Sequence, residues 1–114
     1  MNDCIFCKIA ANQIPSTRVY EDEHTLAFSD LHPQAPVHIL VIPKLHYAGI
    51  HEVPPQHADI YSQLLSVVAT IVKEKNLIDK GYRLVVNFGE FAGQAVDHIH
   101  VHILGGRAMQ WPPG

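Results

Sequence analysis

The chain has 114 residues, of which 47% are apolar and 17% charged, and its formal net charge is −3. This length suits one domain spanning residues 1–114, able to bury roughly two-thirds of its unfolded surface without disulfide staples. The eight Lys and Arg residues form no cluster, which argues against capture of nucleic acid polymers. No apolar stretch reaches membrane-spanning length, and Met1-Asn2-Asp3-Cys4 has neither the basic segment nor the apolar run of a signal peptide, so a cytoplasmic location is expected.

In chain order, Cys4 to Ala11 reads as a short helical turn. Val19 to Asp22 and Thr25 to Phe28 read as two strands around a turn. Asp30 to Pro36 carries two prolines and reads as loop. Val37 to Ile42 is a continuous apolar run closed by Pro43, the pattern of a strand buried on both faces. Leu45 to Ile50 fits one helical turn. Pro54 and Pro55 open the main helix, whose apolar residues Ile60, Tyr61, Leu64, Leu65, Val67, Val68, Ile71 and Val72 recur at the helical period and which ends at Asn76 or Gly81. Tyr82 to Phe88 reads as a strand, Gly89 to Asp97 as a glycine-containing loop, His98 to Leu104 as a strand, and Gly105 to Gly114 as an irregular tail. One long and one short helix on a mostly antiparallel sheet of about five strands make the expected fold class α+β.

The segment His98-Ile99-His100-Val101-His102-Ile103-Leu104 carries the most information. Period-two alternation places the three imidazoles on one strand face and Ile99, Val101 and Ile103 on the other. Neighbouring imidazoles are then rooted roughly 6.6 Å apart, a spacing suited to gripping an oxyanion the size of phosphate. The outer two are rooted about 13 Å apart, too far to share one metal ion. Upstream, Asn87-Phe88-Gly89-Glu90-Phe91-Ala92-Gly93-Gln94-Ala95 supplies glycines whose backbone N–H groups can approach an anion closely. Cys4 and Cys7 form a CxxC pair, which alone fits a redox pair, half of a metal site or coincidence. His24, His32, His51 and His57 read as surface residues.

The alternating histidines preceded by Gly93-Gln94-Ala95-Val96 resemble the histidine-triad (HIT) nucleotide-binding proteins, in particular the Hint branch of nucleoside phosphoramidate hydrolases. The likeness extends over Phe28-Ser29-Asp30, Pro33 to His38, Val41 to Lys44, and the ending Gly105-Gly106-Arg107 through Trp111-Pro112-Pro113-Gly114. The resemblance implies a HIT-like fold and a hydrolase of purine nucleoside 5′-phosphoramidates. His100 would attack the α-phosphorus, with its other ring nitrogen held by a backbone carbonyl near His98. His102, His38 and N–H groups of Gly93 to Ala95 would steady the phosphoryl oxygens, while Asn87 and Gln94 would position the phosphate. Asp30 would bind the ribose hydroxyls, and Phe28, Leu31 and Ile42 would wall the purine slot. The resemblance also implies a structural Zn2+ on Cys4, Cys7, His46 and His98, and a homodimer in which Trp111 reaches the partner's site. Position 95 is Ala where the branch usually carries Ser, which implies slower turnover or an altered leaving-group preference. The alternatives are a dinucleoside polyphosphate hydrolase and a nucleotide-binding regulatory protein with weak catalysis.

Overall fold

The computed structural model describes residues 3–114; Met1 and Asn2, the first two residues of the segment read for a leader, lie outside the described residues. Five strands form one antiparallel sheet in the order β1-β2-β3-β5-β4, where β1 is Arg18–Glu21, β2 Thr25–Ser29, β3 Val37–Pro43, β4 Tyr82–Val85 and β5 Val101–Gly105. Helix α1 (Ile5–Ala10) and the long helix α2 (Asp59–Glu74) complete the α+β architecture. Among the described residues, no helix is long and apolar enough to cross a membrane.

Strand alternation divides the core in two. Ala27, Ile39, Val41, Val101 and Ile103 point to the face covered by α2, where they pack with Ile60, Leu64, Val67, Val68, Ile71 and Val72. Leu26, Phe28, Leu40 and Ile42 point the other way and pack with Phe6 and Ile9 of α1. The alternate register therefore sends His38, which faces Leu104 across the β3–β5 pairing, and His102, which faces Leu40, to the α1 side. Gly105 sits where a Cβ would come within 2.6 Å of a Leu77 methyl, so a larger residue at the strand's exit would have to displace the buried Leu77 side chain.

Several boundaries differ from the sequence reading. The last strand begins at Val101, not His98. The His98 N–H donates to Val96 O and the Ile99 N–H to Tyr47 O, so this stretch bonds to loops instead of the β-ladder. Ile99 nevertheless keeps its inward side and stays in the α2-side core. β4 ends at Val85, opposite His102; β5 starts at Val101, so Asn87 and Phe88 run past the end of that partner. The expected turn at Leu45 to Ile50 is displaced to a 3-10 turn at Ile50–Glu52, and Pro55 opens a second 3-10 turn, Pro55–His57, ahead of α2. The helix stops at Glu74, and Asn76 takes the left-handed conformation (φ 57°) that closes it.

Candidate active site and metal centre

His100 is buried, and its Nδ1 lies 2.7 Å from the His98 carbonyl oxygen. A carbonyl only accepts, so Nδ1 carries the hydrogen and Nε2 keeps its lone pair. The edge of the Phe6 ring packs on this imidazole at 5.0 Å, and on His98 at 5.9 Å.

Beside it runs a chain of hydrogen bonds with one direction. The Gln34 N–H donates to His38 Nδ1 at 3.0 Å, which places the His38 hydrogen on Nε2. That nitrogen donates to His102 Nδ1 at 2.9 Å, with the Asp30 carboxylate 3.4 Å away. His102 Nδ1 is therefore an acceptor, and its Nε2 carries the remaining hydrogen. That Nε2 is buried and has no hydrogen-bond partner among the described residues. Burial, and after it the neighbouring His100 and His38 rings, pushes His102 down to about 4, with Asp30 opposing. Burial also lowers His38, again against Asp30. Both rings are accordingly neutral near pH 7, and the pair presents a single unspent N–H.

His100 and His102 line a pocket of about 300 Å³ whose walls include Ile5, Phe6, Ile9, Ile14, Phe28 and Leu40, with Asp30 and Leu31 at one side. The Asp30 carboxylate is fixed by the His32 N–H at 2.8 Å. Ala95 also borders the pocket. Other residues assigned to nucleotide binding lie elsewhere. Ile42 has none of its surface exposed and belongs to the core beneath Phe28. The Gln94 amide spans the loop, accepting from the Gly89 N–H at 3.0 Å and donating to Ala48 O at 2.9 Å. Asn87 is half-buried and outside the pocket lining. Gly93 adopts φ 78°, a conformation suited to glycine, but its N–H donates to Glu90 O and that of Gln94 to Gly89 O. The Ala95 and Val96 N–H groups, whose residues border the pocket, donate to no backbone acceptor among the described residues and are the nearer candidates for an anion nest. Trp111 is 80% exposed and away from its own pocket, with the Arg83 guanidinium 5.8 Å from its ring centre.

His98 does not join the other two triad rings. Its Nε2 donates to Pro43 O at 2.8 Å, which leaves Nδ1 as a lone pair. Burial pushes the ring down to about 4, with the Pro43 carbonyl opposing. That lone pair faces His46 Nδ1 at 3.1 Å, Cys4 Sγ at 3.3 Å and Cys7 Sγ at 3.6 Å, and Cys7 Sγ lies 3.4 Å from His46 Nδ1. A tetrahedral zinc ion, bonded to nitrogen at about 2.0–2.1 Å and to sulfur at about 2.3 Å, keeps its ligand atoms about 3.3–3.8 Å apart. The four donors converge close to that scale, and all their ligand atoms lie within 4.8 Å of one another. Donor chemistry and spacing both fit a closed Cys2His2 centre. Of the three alternating imidazoles, the first is thus turned toward Cys4 and Cys7, as the expected metal set has it, and the other two line the pocket.

Sequence reasoning missed the contribution of the N-terminal segment to the pocket. Ile5 and Ile9 stand one helical turn apart, a weak signal in a helix of six residues, and nothing local marks Phe6 as the neighbour of His100. His57, taken for a surface residue, is half-buried and lies 2.6 Å from the Tyr47 hydroxyl.

Comparison with known proteins matches the HIT domain to residues 11–109. A Brassica juncea protein called 14 kDa zinc-binding protein is 49% identical, over 98% of this chain and 100% of its own length. Adenylylsulfatase HINT1 of Arabidopsis thaliana is 47% identical, over 96% of this chain and 76% of its own. The crystal structure of a HIT family hydrolase from Legionella pneumophila Philadelphia 1 superposes with a TM-score of 0.94 at 47% identity, covering 98% of this chain and 100% of that one.

Proposed function

The chain belongs to the HIT domain family, and on that premise we propose that it hydrolyses purine nucleoside 5′-phosphoramidates through a covalent nucleotidyl intermediate on His100. The observation that carries this reading is the 2.7 Å bond from His100 Nδ1 to the His98 carbonyl, which leaves the opposite nitrogen as a nucleophile on the pocket wall. His100 Nε2 attacks the α-phosphorus and the phosphorus–nitrogen bond to the amine breaks. The amine leaves with a proton supplied from water, since neutral His102 keeps its Nε2 hydrogen and only hydrogen-bonds with it. Water then attacks phosphorus, the bond to His100 breaks, and the nucleoside monophosphate departs. Neutral His102, oriented by His38, offers its N–H to the phosphoryl group as charge develops there, together with the Ala95 and Val96 N–H groups. Asp30 takes the ribose hydroxyls, and Phe28 and Leu31 contact the base.

Cys4, Cys7, His46 and His98 would hold a structural zinc ion, which supplies rigidity to α1 and the stretch before β5 and takes no part in the bond changes. Support for a homodimer comes from the β4 edge of the sheet. Tyr82 and Leu84 of β4, with Val86 and Phe88 just beyond it, are all exposed, as are Tyr61 and Leu65 of α2. The exposed Trp111 stands against Arg83 of β4, at the edge where a second copy would meet it. The site of action would be the cytoplasm.

The test is AMP release from three adenylates: an adenosine phosphoramidate, adenylyl sulfate and diadenosine tetraphosphate. Fastest turnover of the first, with acid-trapped mass on His100, is the expected result. Preference for the second assigns the activity in the name of the Arabidopsis relative. Preference for the third assigns the polyphosphate alternative. AMP binding without turnover assigns the regulatory one. In each of the last three cases the proposal fails.

A further inference from the structure

Among the described residues, two buried side-chain polar atoms lack any hydrogen-bond partner: His102 Nε2 and Ser16 Oγ. Both residues line the same pocket. The first is explained by the phosphoryl chemistry. The second has no place in it.

Ser16 lies between α1 and β1, in a stretch where Ile14, Pro15 and Ser16 together form one section of the pocket wall. The Ser29 N–H donates to Thr17 O and so holds this stretch against the end of β2, beside Asp30. The other polar members of the lining are Ser29, Asp30, His32, His100 and His102, and the remaining walls are aliphatic and aromatic side chains, which contact the faces of a flat ring but cannot read its polar rim. A buried hydroxyl with no partner is a standing cost to the fold. A ligand group that bonds it removes that cost on binding.

We infer that the Ser16 hydroxyl hydrogen-bonds the polar edge of the nucleobase, making Ser16 a specificity-determining residue of the nucleotide pocket. The inference rests on the nucleotide reading above. The ribose hydroxyls already have the Asp30 carboxylate and the phosphate has the histidines, whereas of the polar side chains left in the lining Ser16 is the one whose hydroxyl is buried without a partner, on the same wall as Ile14. A serine hydroxyl both donates and accepts, so one rotation serves an exocyclic amino group and another a ring nitrogen or carbonyl. Ser16 thus favours bases with a hydrogen-bonding rim over apolar rings of the same size.

The experiment compares the full-length protein with Ser16→Ala. Binding of AMP and of ribose 5-phosphate is measured by calorimetry or by competition, and ligand-free melting by scanning calorimetry. The expected result joins two opposite effects. The ligand-free variant melts at the same temperature as the wild type or higher, because an unsatisfied group has been deleted. AMP binds about threefold to tenfold more weakly, while ribose 5-phosphate is unaffected. Unchanged AMP affinity overturns the inference. Equal weakening of both ligands assigns the hydroxyl to the sugar and overturns the base assignment. A lower melting temperature shows a structural hydroxyl and overturns it as well. A wild type that binds neither ligand refutes the nucleotide reading itself and the inference with it, whereas a binding wild type with an indifferent Ser16 refutes the inference alone.

Discussion

Stripping the metal centre is expected to lower the melting temperature by about 15 °C. His98 has none of its surface exposed, and its Nδ1 lone pair points at three other donors within 3.6 Å. With no cation to join the four groups, α1 loses that tether to the loop carrying His46 and to the segment before β5. A metal present at about a thousand times its Kd adds about 4 kcal/mol to the folded state. In a chain of this size each kcal/mol moves Tm by about 4 °C. Scanning fluorimetry before and after chelation, alongside metal content by emission spectrometry, reads the difference, and Cys7→Ala is expected to melt like the stripped protein. Anaerobically purified protein without zinc, or a shift under about 2 °C on chelation, refutes the reasoning.

Further outcomes follow from the site. His100→Gly is expected to abolish phosphoramidate turnover while keeping AMP affinity within a few fold, since in the proposed mechanism its nitrogen would react instead of holding the ligand; stopped-flow and equilibrium binding separate the two. Because His102 is held down to about 4 in the folded state and returns toward about 6.5 when unfolded, the unfolded chain binds more protons between those values. Stability contributed by this group is present above about pH 6.5 and is lost as pH falls toward 4; His102→Gln is expected to flatten that part of the Tm–pH curve, and an unchanged slope contradicts the assignment. Ala95→Ser, bordering the pocket, is expected to raise turnover or alter the preferred leaving amine with AMP affinity preserved, as kcat and KM across an amine series would show. Val86→Glu on the exposed β4 side is expected to yield monomers by light scattering, and a persistent dimer moves the seam elsewhere.

Periodicity alone was enough to place α2, because its inward residues recur every three to four positions over a helix of sixteen residues. The unbroken apolar run of β3 likewise announced a strand buried on both sides. Residue patterns could not show where the β-ladder stops. The alternation of His98, Ile99 and His100 persists in side-chain direction even though their backbone bonds to loops, so a perfect strand pattern outran the strand by three residues. The division of labour among the three histidines depends on contacts far apart in sequence: Cys4 and Cys7 with His98, and His38 with His102. The family likeness supplied the first grouping, which spacing left open. The tie that Gln94 makes from Gly89 to Ala48, and the part played by α1 in walling the pocket, had no local signature.

The anchor of His100 is a main-chain oxygen. No substitution can erase that acceptor, since every amino acid brings the same one. What a change at position 98 can alter is its location, through the ring that Pro43 and the cysteines hold in place. Variants at this position are therefore expected to misalign the nucleophile by degrees instead of disarming it, and a chain that lost its cysteines through drift would keep a functioning, if less well aimed, imidazole.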